Sequence, residues 1–232
     1  MRINEIFYSL QGEGFLAGVP SVFVRLAGCP LHCRWCDTKY AWQQSAAAHY
    51  SIEKIVREIG QWTSGFVVIT GGEPMIDPDR TVNKKLPELV CALKKAGKHI
   101  TIETAGIAFI PDMPCDLMSI SPKLSNSTPE DPKLAAIHED SRLDIAVLSE
   151  LVRGYDYQLK FVVDTKDDWP EIEKTIEKIG NVDHKKVMLM PQAATRDELL
   201  AKSPMVADLC KQSGFAFSPR LQLLLWEDKH YG

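Results

Sequence analysis

Residues 22–36 read Val22-Phe23-Val24-Arg25-Leu26-Ala27-Gly28-Cys29-Pro30-Leu31-His32-Cys33-Arg34-Trp35-Cys36. The first five are β-branched or aromatic at most positions and end in a glycine turn, the pattern of a short strand. Strand alternation puts Val22, Val24 and Leu26 on one face and Phe23 and Arg25 on the other. If the valines pack against helices, Arg25 points into the interior of the sheet. The strand delivers its chain directly into three cysteines spaced C-x3-C-x2-C.

Outward from this stretch, short apolar runs alternate with amphipathic helical patterns. Residues 22–26, 66–70, 100–103, 117–121, 159–163 and 187–190 read as strands. Residues 52–59, 86–96, 143–152 and 169–179 read as helices, followed by Gly60, Gly97, Gly154 and Gly180 as stop signals. In the second helix Leu86, Leu89, Val90 and Leu93 follow i, i+3, i+4, i+7, so one face is apolar. Such β-α repetition predicts an α/β fold with a parallel sheet covered by helices. Six strands fit either an open doubly wound sheet or a partial barrel, and in both the chemistry gathers beyond the C-terminal strand ends. No linker or internal repeat divides the chain, so residues 1–232 are expected to form one domain. The segment 125–132 reads as a surface loop and a candidate lid.

Composition narrows the function classes. Twenty-seven basic and 31 acidic residues leave a net charge of −4, which does not match the basic footprint of a nucleic-acid or anionic-membrane binder. The N-terminus has no signal-peptide pattern, and no apolar run approaches the ~20 residues needed to span a bilayer. A cytoplasmic location follows as the expectation. There a cluster of thiols signals metal or redox chemistry more often than a disulfide.

Three of the six cysteines form the cluster, while Cys91, Cys115 and Cys210 stand apart and are expected to pack. A structural zinc site would need a fourth ligand, supplied by His32 or a distant cysteine. Three cysteines alone suit a [4Fe–4S] cluster with one iron left open, as a reaction centre requires. A second motif, Gly71-Gly72-Glu73-Pro74, ends the strand at 66–70, where glycines let the backbone approach a ligand closely.

C-x3-C-x-aromatic-C, with Trp35 before the third cysteine, resembles the signature of the radical S-adenosylmethionine enzymes. The resemblance implies a partial (β/α)6 barrel. It also implies a [4Fe–4S] cluster on Cys29, Cys33 and Cys36, with S-adenosylmethionine bound at the open iron. Further stretches resemble the 7-carboxy-7-deazaguanine synthases. These are Phe7-Tyr8-Ser9-Leu10-Gln11-Gly12-Glu13-Gly14-Phe15, Arg25-Leu26-Ala27-Gly28-Cys29, Trp35-Cys36-Asp37-Thr38, Glu103-Thr104-Ala105-Gly106 and Ser121-Pro122-Lys123. That family is a lyase group converting 6-carboxy-5,6,7,8-tetrahydropterin to 7-carboxy-7-deazaguanine with loss of ammonia, on the route to queuosine. Mg²⁺ assists, a flavodoxin-type reductant supplies electrons, and a homodimer is implied.

The resemblance distributes roles along the chain. Trp35, Cys36, Asp37, Gly72, Ser121, Pro122, Lys123, Pro191 and Gln192 are matched to S-adenosylmethionine. Leu10, Gln11, Gly12, Glu13, Arg25 and Thr70 are matched to the pterin, and Thr38 to Mg²⁺. An inward Arg25 suits bidentate pairing with a substrate carboxylate, the alternative being an internal ion pair with Glu5 or Glu13. His99, Met188 and Met190 read as packing residues. Ala105 and the C-terminal tail depart from the family pattern, with Gln222 or His230 as candidates to close the pocket. Two other functions remain open at this point. One is an activase for a glycyl-radical enzyme, and the other a non-catalytic zinc-binding interaction protein.

Overall fold

The computed structural model describes residues 1–42, 47–77 and 79–226. Among these, nine strands form one sheet. In chain order they are β1 (Arg2–Leu10), β2 (Pro20–Leu26), β3 (Ala48–His49), β4 (Phe66–Gly71), β5 (His99–Thr104), β6 (Leu117–Ile120), β7 (Tyr157–Val163), β8 (Val187–Pro191) and β9 (Ala216–Phe217). The spatial order is β3-β1-β2-β4-β5-β6-β7-β8-β9. β1 runs antiparallel to β2 and β3, and every pair from β2–β4 through β8–β9 is parallel. The helices are α1 (Ile52–Ile59), α2 (Leu86–Lys95), α3 (Pro132–Ser141), α4 (Ile145–Gly154), α5 (Trp169–Ile179), α6 (Arg196–Ser213) and α7 (Leu221–Trp226). The result is a partial barrel of the β/α type, as the resemblance implies, and one of the two architectures that the predicted strands fit. No helix among the described residues is long and apolar enough to cross a membrane.

Strand alternation sorts the residues into two environments. Val22, Val24 and Leu26 of β2, Val67 and Ile69 of β4, and Leu159, Phe161 and Val163 of β7 belong to the main apolar core, together with Leu86, Leu89, Val90 and Leu93 of α2. The opposite faces turn inward and carry polar residues: Arg25, Thr70, Glu103, Ser119 and Lys160 line the barrel cavity. Met188 and Met190 are buried but lie outside that apolar core, and Met190 lines the cavity. Cys210 is part of the core and Cys115 packs against it, whereas Cys91 is exposed, contrary to the expectation for all three.

Local signals explain most boundaries. Ser51 caps α1 by accepting from the Lys54 N–H, and Pro170 sits in the first turn of α5 where its missing N–H costs nothing. The helix predicted at 143–152 is shifted: Asp144 caps α4 by accepting from Val147, and Gly154 is its last residue instead of its stop. The predicted lid at 125–132 is not a free loop. Ser125–Ser127 is a 3₁₀ turn, and Pro132 opens α3 under an Asp131 cap. The Ser125 N–H and hydroxyl both donate to Glu171 at 2.9 and 2.6 Å, and the Asn126 amide donates to the Val162 carbonyl at 3.0 Å. This segment is a fixed wall.

Candidate active site

A cavity of about 670 Å³ opens at the C-terminal ends of the parallel strands, where the topology places chemistry. Cys29, Cys33 and Cys36 form part of one wall with Trp35, Asp37 and Thr38. All six cysteines are free thiols, Cys33 buried and its two neighbours half-buried. The glycines of Gly71-Gly72-Glu73-Pro74 explain how that wall is built. A Cβ on Gly72 would lie 1.9 Å from the Gly28 carbonyl oxygen, and one on Gly71 would lie 2.3 Å from that of Leu26. The close approach therefore serves backbone against backbone: Gly72 donates to Leu26 at 3.1 Å and Glu73 donates to Gly28 at 2.9 Å. The end of β4 thus fixes the chain immediately before Cys29.

Glu73 continues this anchoring. Its buried carboxylate accepts from the Thr104 hydroxyl (2.7 Å), the Ala105 N–H (2.7 Å) and the Met75 N–H (3.1 Å), tying the end of β4 to the end of β5. Burial raises its pKa, and the neutral donors only partly oppose that. Burial, reinforced by Glu73, also pushes the Cys29 thiol well up, and burial pushes Cys33 up to about 11 against the pull of Lys123. Thiols held neutral in this way ionise when a cation arrives, so metal loading releases protons.

The donor set fits an iron–sulfur cluster better than a single ion. Among the described residues no three His, Cys, Asp or Glu side chains gather into a single-ion site. Tetrahedral zinc bonds of about 2.3 Å would demand that convergence, whereas cluster ligands bind separate irons. His32 does not line the cavity and packs edge-on against Trp42, with ring centroids 4.9 Å apart. Three thiols from one loop facing one cavity would leave a cluster's fourth iron open to whatever occupies that space.

Around the same cavity, the Lys123 ammonium donates to the Ser121 carbonyl and hydroxyl at 2.8 and 3.0 Å and lies 5.7 Å from the Trp35 ring centroid. The Trp35 indole donates to the Asn126 carbonyl at 3.2 Å. Gly72, Ser121, Lys123 and Gln192 line the cavity, while Pro122 and Pro191 are buried outside its wall. Thr38 also lines it, with its hydroxyl 3.7 Å from the Cys36 sulfur.

Leu10, Gln11, Gly12, Glu13, Arg25 and Thr70 all line the cavity as well. Glu13, 16% exposed, pairs with Lys160, accepts from Arg220 Nε at 3.2 Å and accepts from the Gln222 amide at 2.7 Å. Burial alone would raise its pKa, but Lys160 and then Arg220 outweigh it and hold the carboxyl at about 2. Lys160 shows the reverse balance: burial alone would lower it, and the charges of Glu13 and Glu103 raise it. Arg220 also donates to Asp37 at 2.9 Å and to the Ala193 carbonyl, so one guanidinium joins three segments of the wall. Gln11 donates to Glu103 at 3.0 Å and accepts the Glu13 N–H at 3.2 Å.

Arg25 points inward as the alternation predicts, and its Nε donates to Glu5 at 2.7 Å, so the internal ion pair exists. Gln222 is fixed by chemistry: an ionised Glu13 can only accept, so the amide nitrogen must face it. The amide oxygen is then buried with no partner among the described residues, resting where any side chain on Gly12 would be. His230 lies outside the described residues. Lys160, Arg220 and Glu73 were not picked out from the sequence. Lys160 does carry a legible signal, a lysine on the inward register of an otherwise apolar strand.

Residues 24–127 match the Radical SAM superfamily. The 7-carboxy-7-deazaguanine synthase of Halobacterium salinarum is 43% identical over 241 residues, covering 98% of this chain and 91% of that protein. Its counterpart from Rhodopirellula baltica is 38% identical over 227 residues, covering 96% and 85%. The crystal structure of QueE from Escherichia coli superposes with a TM-score of 0.71 at 27% identity, covering 94% of this chain and 92% of that one. With a cysteine wall and a charged wall facing one cavity, and with full-length relatives of one kind, the chain belongs to the 7-carboxy-7-deazaguanine synthase family of radical S-adenosylmethionine enzymes.

Proposed function

We propose that this chain converts 6-carboxy-5,6,7,8-tetrahydropterin to 7-carboxy-7-deazaguanine with loss of ammonia. The observation that carries the reading is the meeting of two unlike walls in one cavity: three thiols on one side, and Arg25, Glu13, Lys160 and Gln11 on the other. When bound, a [4Fe–4S] cluster and S-adenosylmethionine supply the one-electron chemistry that removes a hydrogen atom from the substrate.

The chain's own residues bind, orient and enclose. Cys29, Cys33 and Cys36 would hold the iron. The backbone at Gly72, the Trp35 ring, and the hydroxyl and ammonium of Ser121 and Lys123 would hold S-adenosylmethionine, with Asp37 and Gln192 beside them. Pro122 and Pro191 would act through the backbone they shape. Glu5 occupies one edge of the Arg25 guanidinium, and the Nη groups remain to pair with the substrate carboxylate. The carboxamide of Gln11, the carboxylate of Glu13 and the hydroxyl of Thr70 would meet the donors and acceptors of the pterin ring. Thr38 would give Mg²⁺ one oxygen, with water and substrate oxygens supplying the rest. A homodimer reduced by a flavodoxin-type protein belongs to the same proposal.

The test uses anaerobically reconstituted, reduced protein mixed with S-adenosylmethionine and the carboxytetrahydropterin. Formation of 7-carboxy-7-deazaguanine is expected. Cleavage to 5′-deoxyadenosine without that product would reject the substrate, and about one zinc with no iron in the purified protein would reject the cluster. In the Arg25→Ala variant, pterin affinity is expected to fall by roughly 10- to 100-fold, the worth of a charged hydrogen bond, with iron content unchanged.

A further inference from the structure

Helix α3 buries a single residue, His138, which is wholly inaccessible and takes no part in the cavity wall. Its surroundings are polar and specific. His138 Nε2 lies 2.8 Å from the hydroxyl of Ser127, another wholly buried residue. His138 Nδ1 accepts the backbone N–H of His32 at 3.4 Å. The Ser127 carbonyl accepts the backbone N–H of Arg34 at 2.9 Å. One buried Ser–His pair therefore holds both N–H groups that flank Cys33.

The tautomer follows from these contacts. A ring nitrogen that accepts carries no proton, so His138 is neutral with its hydrogen on Nε2, directed at the Ser127 oxygen. The Ser127 hydroxyl in turn donates to the Leu124 carbonyl at 2.6 Å. Held by His138 on one side and Leu124 on the other, Ser127 presents its own carbonyl to the Arg34 N–H. Outer-sphere partners that orient metal ligands govern metal retention.

We propose that Ser127 and His138 are positioning residues for Cys33, fixing the backbone on either side of it so that the loop retains the iron of the cluster. The inference rests on the reading of Cys29, Cys33 and Cys36 as cluster ligands. It adds a function for two residues that touch neither substrate nor S-adenosylmethionine.

The experiment compares the reconstituted full chain with the variants Ser127→Ala, His138→Leu and His138→Gln by the rate of iron loss to a chelator, with the EPR spectrum of the reduced cluster showing that each starts loaded. Ser127→Ala removes the hydroxyl that holds His138 Nε2 and is expected to speed iron loss several-fold. His138→Leu is expected to speed it roughly tenfold, at the low end of outer-sphere effects. His138→Gln keeps both a donor and an acceptor and is expected to recover most of the retention. Ser127→Ala removes a single oxygen, so it decides the matter even where His138→Leu fails to fold. Wild-type iron retention in Ser127→Ala would overturn the clamp alone. A wild-type chain that assembles no cluster would overturn the cluster reading, and the clamp with it.

Discussion

Glu13 and Glu73 are buried or nearly buried carboxylates under opposite walls of the same cavity, and their surroundings push them in opposite directions. Glu13 faces the cations Lys160 and Arg220 and is held ionised, at about 2. Glu73 meets only a hydroxyl and two backbone N–H groups, and burial raises its pKa. The lining around Glu13 is thus assembled from full charges, while the cysteine loop is anchored to β4 and β5 by backbone contacts and neutral donors, with the charged Arg220–Asp37 pair beside it. The difference has a chemical sense. A loop that binds iron through thiolates gains negative charge on loading, and Glu73 already disfavours the Cys29 thiolate. The charges around Glu13 are balanced before any ligand enters.

The comparison can be broken first at Lys160. Lys160→Met leaves Glu13 with a buried charge and only part of its compensation, and is expected to cost about 3–5 kcal/mol of stability in chemical denaturation. Adding Glu13→Gln should recover a large share of it. A loss in Lys160→Met no larger than that of a surface lysine would mean that the pair is not ionised. Gly72→Ala is expected to cost about 3 kcal/mol, because the new Cβ meets the Gly28–Cys29 peptide, which has no flexible side chain to move aside. Its iron content should fall as well, and full cluster loading would show that the β4 end does not anchor Cys29. Glu73→Gln puts an amide N–H against one of the three donors around that carboxylate, and about 1–3 kcal/mol should be lost.

The two carboxylates also predict opposite pH behaviour. The stabilisation from Glu13 is fully present above its ordinary value near 4.5 and is lost as pH falls toward about 2. Glu73, with a folded-state pKa raised above its ordinary value, favours the fold below 4.5, and that advantage disappears as pH rises through its folded pKa. Acid titration of stability in Glu13→Gln and Glu73→Gln should therefore diverge from the wild type in opposite senses; parallel curves would erase the distinction between the walls. The smallest effect is expected from Gln222→Leu, about 1 kcal/mol for the lost hydrogen bond to Glu13, read by denaturation.

How much of this could be read from the chain depends on how local each signal is. The cysteine spacing, the inward register of Arg25 and the parallel strands are properties of a few neighbouring residues, and they were legible. β1 escaped because along its nine residues only Ile3 is buried, so no apolar alternation marks it. α3 escaped because His138 is the one residue it buries, and α6 because Pro204 interrupts an 18-residue helix that has little apolar periodicity. The contact of Gly72 with the Gly28 backbone was not legible for a different reason: it is made by strand pairing between residues far apart in the chain. Gln222 was named as a candidate to close the pocket, but its partner Glu13, like the partners Glu13 and Asp37 of Arg220, lies near the other end of the sequence and could not be assigned.

That last separation governs the order in which the protein can become competent. The contacts that fix the cysteine wall, from His32 and Arg34 to Ser127 and His138, are complete once α3 has been made. The charged wall waits for residues 207 and 209 positions beyond Glu13. Pairings this distant in sequence are slow to form, and domains acquire structure from the N-terminus as they are synthesised. A nascent chain can therefore shape its cysteine loop early, whereas the charged side of the cavity closes only when Arg220 and Gln222 have left the ribosome.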